Sequence, residues 1–469
     1  MAQDAARQND ILATIEAEKV RFVNLEFTDV VGMAKCVTIP IEQFPDCLAH
    51  GKWFDGSALE GFARVAESDM YLVPDLSTFA VLPGKVRPLT PLEQAPRSTV
   101  DDLSTAEDVV ARIICHVRAP DGEPFDGDPR ATLIRALDVA HSMGYDFLAA
   151  PELEFFLLQN DETTPRPLPH DRGGYFDLST DLAATVRRQM VEALQQMGIR
   201  IDASHHEVAA GQHELDLETG HALPIADALV TAKYVLKAIA AQHGLYATFL
   251  PKPFFGVNGS GMHTHQQLIH HSTGQNAFAD EHGEYGLSDI GRYFIAGQLA
   301  HAPAMCAILS PLVNSYKRLV PGYEAPVNLV FSQGNRSAAV RIPLTDCPSA
   351  KRVEFRPPDP SANPYLAFSA LLMAGLDGIR RGIEPSEHGH GPVDRDLYHM
   401  SKEELREIRS VPGSLDAALD ALEDDHSFLL EGGVFTTDVL EHFVELKRAQ
   451  SDEVRLRPTP LEFALYYDA

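Results

Sequence analysis

The chain has 469 residues, 45% apolar and 23% charged, a globular composition with ample length for a sizeable core. Its net charge of −28 excludes the basic footprint that bulk nucleic-acid binding needs, although local arginines or a bound cation can still receive an anionic substrate. Five scattered cysteines without a CxxC pair fit reduced thiols in the cytoplasm, and neither a signal-peptide core nor an apolar run of about 18 residues is present, so neither export nor a membrane partner is expected.

The opening residues predict a helix over about 8–18, then strands over 20–28 and 34–39 where apolar and turn residues alternate. Prolines at 83, 88, 91 and 96 among polar neighbours predict a long loop to about 107. A strand over 111–117 follows, then the turn Pro120-Asp121-Gly122. The next helix spans about 130–143, with Leu133, Leu137 and Ala140 on one face and Gly144 at its end. Another spans 225–243, carries Ile225, Leu229, Ala232, Leu236 and Ile239 on one face, and stops at Gly244. A third begins at the cap Asn363 with Pro364 in its first turn; it is apolar nearly all round to Ile379, which predicts burial. The chain has no internal repeat. The pattern is α+β, a small β domain followed by a larger domain with a sheet and several helices.

Four segments alternate ionisable and apolar residues at period two. They are Glu152-Leu153-Glu154-Phe155, Glu214-Leu215-Asp216-Leu217-Glu218 (preceded by His205-His206-Glu207), His263-Thr264-His265, and Arg352-Val353-Glu354-Phe355-Arg356. In a strand, Glu152 and Glu154 share a face roughly 6–7 Å apart. Like charges held that close beside apolar residues need a cation. One such segment alone reads as a solvated strand face, but four in one chain favour a site. Carboxylates with few histidines and no cysteine suit Mg²⁺ or Mn²⁺ better than zinc.

Arg318, Arg336, Arg341, Arg352 and Arg356 lie close together in the sequence, and guanidinium forks recognise carboxylate and phosphate. Asn258-Gly259-Ser260-Gly261 lets the backbone approach a substrate. It is neither GxGxxG nor a P-loop, and no GxSxG elbow occurs, so dinucleotide, Walker-type and serine-hydrolase sites have no support. Lys317 and Lys351 read as structural.

Phe54-Asp55-Gly56-Ser57, Asn258-Gly-Ser-Gly-Met-His263, Lys317-Arg-Leu-Val-Pro-Gly-Tyr-Glu-Ala-Pro326, Asn335-Arg-Ser337 and Arg352-Val-Glu-Phe-Arg356 together resemble the signatures of the glutamine synthetase family, in the family's order. The resemblance runs from about residue 18 to the end and is to the bacterial and archaeal first type, in its shorter branch. It implies a β-grasp domain over 1–125 and a catalytic domain over 126–469 built on a curved antiparallel sheet. It also implies a homo-oligomer of two hexameric rings, twelve subunits, with sites shared between neighbours. The implied reaction is ATP-dependent ligation of ammonia to the γ-carboxylate of glutamate through a γ-glutamyl phosphate. Two or more divalent ions are implied, one held by Glu154, Glu207 and Glu214, the other by Glu152, His263 and Glu354. Arg336 and Arg356 match positions that contact phosphate. Asn258, Gly259 and Arg318 match those that hold glutamate, and His265, Arg341 and Arg352 those near the nucleotide. Asp55 matches the base, reaching in from a neighbouring subunit. Tyr175, Glu207 and Glu324 complete the ammonium pocket, and Glu324 also lies on the loop that shields the intermediate from water.

The chain departs from the family pattern at Ala58, where a second serine is usual beside the ammonium pocket, at Gln267 and at Gly334. About twenty residues over 84–107 are extra. Ala58 keeps open an alternative, a γ-glutamyl-amine ligase using a larger amine; a catalytically silent regulatory homologue is a third reading. Arg64 matches an arginine linked to feedback by glutamine, and Tyr398 aligns with a tyrosine adenylylated in the longer branch, although the insertion typical of that branch is missing.

Overall fold

Alternation of apolar and polar residues builds the first sheet of the computed structural model, which describes residues 2–56, 69–84, 109–159, 168–323, 325–394 and 408–468. A leading helix, α1 (Ala2–Glu18), starts earlier than its apolar pattern predicts, since residues 5–10 are mostly exposed and carry no apolar stripe. The strands are β1 (Phe22–Thr28), β2 (Ala34–Pro40), β3 (Lys52–Asp55), β4 (Asp69–Pro74), β5 (Ala80–Val81) and β6 (Val110–Arg118). Their order is β2-β1-β6-β4-β3, with β5 also on β6, and β1 runs parallel to β6 while the other pairs are antiparallel. Val23, Leu25, Phe27, Ile113 and Val117 fill the core beneath α1 and α2 (Phe44–His50).

The second sheet is organised by one long strand. Its members are β7 (Tyr145–Gln159), β8 (Leu168–Pro169), β9 (Ile201–His206), β10 (Gln212–Leu217), β11 (Gly220–His221), β12 (Leu245–Thr248), β13 (Thr264–His270), β14 (Asn328–Ser332), β15 (Ala338–Arg341) and β16 (Val353–Phe355). Among the described residues the path is β14-β15-β16-β13-β7-β10-β9, with β8, β11 and β12 also pairing with β7. The expected antiparallel sheet is in fact mixed, because β14 and β15 run parallel. Fifteen residues let β7 reach β13 through Tyr145 to Pro151 and β10 through Glu152 to Phe156.

The pleat then decides the two faces. Phe147, Ala149, Leu153, Phe155 and Leu157 point into the main core, so Glu152 and Glu154, at even positions, point to the opposite face. The core face is backed by α3 (Pro129–Ser142), α4 (Ala184–Gln196), α5 (Ala222–Gln242), α6 (Asp289–Leu309) and α8 (Pro364–Arg381), while the four-residue α7 (Ser315–Arg318) delivers Arg318. The predicted cap at Asn363 forms, its Oδ1 accepting from the Tyr365 amide at 3.1 Å, and α8 closes at Gly382 in the left-handed conformation. The proline-rich loop lies outside the described residues beyond position 84.

Candidate active site

The charged face of the second sheet gathers the alternating segments. Strand register sets Glu214 opposite Glu154 and Asp216 opposite Glu152, and it sets His265 and Arg341 on either side of Glu354. Glu152 Oε2 lies 2.9 Å from His263 Nδ1, and its Oε1 lies 2.8 Å from His265 Nε2. Glu354 Oε1 is 3.7 Å from the same His263 nitrogen, so ligating atoms of Glu152, His263 and Glu354 fall within 4.8 Å of one another. Arg341 and Arg356 both donate to the fully buried Glu354 carboxylate. Glu154, Glu207 and Glu214 line the same cavity, of about 260 Å³.

The carboxylates divide by environment. Burial, then the Glu207 charge, pushes Glu154 up to about 8. Burial, then the Glu154 charge, pushes Glu214 well above the usual carboxylate range. Burial also opposes ionisation of Glu152, but hydrogen bonds from His263 and His265 outweigh it and hold that carboxyl well below its ordinary value. At Glu354 the Arg356 charge likewise outweighs burial and holds the carboxyl below its ordinary value. Burial, then the Arg356 charge, takes His263 down to about 4, which leaves a neutral imidazole able to ligate. Clustered oxygens with one imidazole, two of them too crowded to ionise alone, are the donor set of a hard divalent cation.

The opposite wall carries arginines and a glycine loop. Arg318 is buried, and its guanidinium is held by the carbonyls of Pro357 at 2.8 Å and Arg356 at 3.1 Å. A Cβ on Gly259 would sit 2.4 Å from the Pro251 carbonyl and 3.1 Å from Arg318 Cγ, so glycine is what lets this loop close on Arg318. Asn258, Gly259, Arg318, Arg336, Arg341, Arg356 and Tyr175 all line the cavity. Arg356 Nε donates to the Arg336 carbonyl at 3.2 Å, and Tyr175 stacks on Phe176 with ring centres 3.9 Å apart.

His265 and Arg352 stand one step behind the wall. Arg352 Nε donates to His265 Nδ1 at 3.2 Å, and His265 reaches Glu152. Asp55 sits on β3 of the first sheet and does not line the cavity of its own chain. Glu324, Ala58, Arg64 and Tyr398 lie outside the described residues.

Five lining residues received no role from the sequence: His205, Gln212, Asp216, Tyr323 and Ala325. Gln212 Nε2 bridges Glu154 Oε2 (2.8 Å) and the Gly259 carbonyl (3.1 Å), joining the acidic wall to the glycine loop. His205 Nε2 lies 3.3 Å from Glu214 Oε1, and Asp216 shares that cluster. The period-two signal held His205 and Asp216, whereas an uncharged Gln212 gives none. Lys351, taken as structural, donates to the Tyr285 carbonyl at 2.8 Å.

Residues 126–466 match the family model of the glutamine synthetase catalytic domain, and residues 19–93 match that of the glutamine synthetase β-grasp domain. The chain is 46% identical over 452 residues to a glutamine synthetase of Thermus thermophilus, covering 95% of this chain and 96% of that protein. It is 44% identical over 465 residues to one from Methanocaldococcus jannaschii, covering 96% of each. Among solved structures, a GmaS–ADP complex matches with a TM-score of 0.83 at 29% identity, over 98% of this chain and 99% of that one. The Plasmodium falciparum glutamine synthetase matches at 0.82 and 25% identity, over 96% of each.

Proposed function

Because this chain belongs to the glutamine synthetase family, we propose that the cavity beside β7, β10 and β16 is where its substrates meet. The reaction is the ATP-dependent ligation of ammonia to glutamate, giving glutamine, ADP and phosphate. The observation that carries the site reading is the Glu152, His263 and Glu354 cluster at the edge of an arginine-lined cavity.

In this reading the family's divalent metal is Mg²⁺ or Mn²⁺ and two ions bind, one to Glu152, His263 and Glu354, the other to Glu154, Glu207 and Glu214. Bound there, the ions supply the positive charge that lets phosphate oxygens approach a carboxylate-rich wall. Arg318, with Asn258 and Gly259, holds glutamate, and the desolvated guanidinium is suited to a carboxylate. Arg336 and Arg356 face the transferred phosphoryl group and stabilise its spreading charge. Arg341, Arg352 and His265 flank the nucleotide. Glutamate's γ-carboxylate attacks the terminal phosphorus, ADP leaves, and the γ-glutamyl phosphate is then open to a nitrogen nucleophile.

That nucleophile arrives protonated. Tyr175, Glu207 and Glu324 form a pocket for the ammonium cation, and Asp55 from a neighbouring subunit takes its proton. Asp55 does not line its own chain's cavity, which supports a shared site in a homo-oligomer, with two hexameric rings as the proposed form. Unpaired thiols at Cys36, Cys47, Cys115, Cys306 and Cys347, together with the use of ATP, support a cytoplasmic setting.

The test is phosphate release from ATP with Mg²⁺ and glutamate while the amine is varied among ammonium, methylamine, ethanolamine and putrescine. Ammonium is expected to be preferred. Preference for a larger amine would overturn the ammonium assignment and trace to Ala58, and release with no amine preference would remove the pocket altogether.

A further inference from the structure

A second group of possible ligands lies six residues along β7 from Glu152, about 20 Å away at strand spacing. It joins His141 in the last turn of α3, Asp146 on β7 and His271 just after β13. His141 Nδ1 is 3.5 Å from Asp146 Oδ1, and His271 Nδ1 is 3.1 Å from Asp146 Oδ2. Ligating atoms of all three lie within 4.8 Å of one another. The imidazoles meet edge to face with ring centres 4.1 Å apart, and each is more than half exposed (56% and 55%). The His271 amide donates to the Gly144 carbonyl at 2.9 Å, which fixes the end of β13 beside the α3–β7 turn.

At the surface, water satisfies an imidazole at no cost, whereas ordering two rings around one carboxylate loses side-chain entropy. The spacing has a chemical use. Donors about 2.0–2.2 Å from a tetrahedral ion stand about 3.3–3.6 Å from one another; the 3.5 Å contact falls in that range and the 3.1 Å contact, to the other Asp146 oxygen, is slightly shorter. A third cluster, Asp171, His206 and His213, lacks this opening, because Arg187 Nη1 already sits 2.9 Å from His213 Nδ1 and supplies the cation.

We propose that His141, Asp146 and His271 form a surface site for a borderline divalent transition ion such as Zn²⁺, Co²⁺ or Ni²⁺. Two imidazoles and one carboxylate favour these ions, whereas the oxygen-rich cavity favours Mg²⁺ or Mn²⁺. Solvent fills the remaining coordination positions. A bound ion would tie the end of α3 to the sheet without touching the cavity.

The test is a Co²⁺ titration of the full-length protein held in saturating Mg²⁺, read by visible d–d absorption. One Co²⁺ per chain is expected at this site, displaced by Zn²⁺ and retained in Glu354→Ala. His141→Ala and His271→Ala should each weaken it by more than about tenfold, with Mg²⁺-dependent phosphate release unchanged. Equal Co²⁺ uptake by the wild type and both histidine variants would overturn the proposal, as would loss of the band in Glu354→Ala.

Discussion

Single side chains in the cavity are held in opposed ionisation states, and a pH dependence follows. In metal-free protein burial and the Glu207 charge push the Glu154 carboxyl up to about 8 from its ordinary 4.5, and Glu214 is raised with it. A raised folded-state value means the native protein binds the extra proton, so the stability it contributes is full below about pH 4.5 and is lost as pH rises through about 8. Glu152 and Glu354 are lowered, so their contributions hold constant across that window. A divalent ion must displace the protons on Glu154 and Glu214 and therefore binds more tightly as pH rises. The rise in melting temperature on adding Mg²⁺ should grow between pH 5 and pH 8, and Glu154→Gln should flatten that growth. Comparing the same protein with and without Mg²⁺ cancels the buried Glu26 and Asp128, which are also raised. A Mg²⁺ effect independent of pH in the wild type would refute the assignment. Much of this acidic wall was legible in the sequence, because the two-residue period of a strand puts Glu152 and Glu154, or Glu214 and Asp216, on one face. Gln212 was not, since its role depends on a glycine loop forty-seven positions away meeting the same carboxylate.

Elements were legible where a cap or a one-sided stripe marks them. Helices α3, α5 and α8 begin within three residues of their expected starts, helped by Asp128 and Asn363 as caps and by prolines at the first turn. Helix α6 was not anticipated. It is buried nearly all round and carries Pro303, so it shows no period and includes a residue that usually ends helices. What fixes α6 is its partner. A Cβ on Gly297 would fall 2.2 Å from the Ala374 carbonyl and 2.7 Å from Gly378 Cα, so the α6 and α8 backbones touch at this crossing. Gly297→Ala should force the helices apart and destabilise the protein by about 1–3 kcal/mol despite alanine's better helix propensity. Urea unfolding would measure this, and a variant as stable as the parent would mean that the crossing relaxes freely.

At the scale of the whole molecule, the two sheets are joined by a buried ionic knot rather than by apolar contact alone. Arg130, in the first turn of α3, is 3% exposed at its side chain and forks onto Asp227 of α5 with two 2.9 Å bonds. Its Nη2 also reaches Asp75, just past β4 of the first sheet, at 2.7 Å, while Tyr365 of α8 donates to Asp227 at 2.7 Å. One guanidinium thus compensates carboxylates from both domains. No sequence pattern marks this knot, because its members are spread from position 75 to position 365 and none belongs to a motif. Arg130→Met keeps the volume and removes the charge, which leaves Asp227 buried with the Tyr365 hydroxyl but without its cation. Breaking such a pair costs about 3–5 kcal/mol, whereas replacing both charges by apolar groups costs far less. Arg130→Met should therefore lower the urea midpoint sharply, and the double variant Arg130→Met with Asp227→Leu should recover part of the loss. Because Asp75 is the strand-side anchor, Asp75→Asn should cost less than Arg130→Met and should loosen the first sheet, seen as faster amide exchange in β4 and β6 than in β7. Equal exchange in both sheets would mean that the knot stabilises the catalytic half alone and that other contacts hold the N-terminal sheet against it.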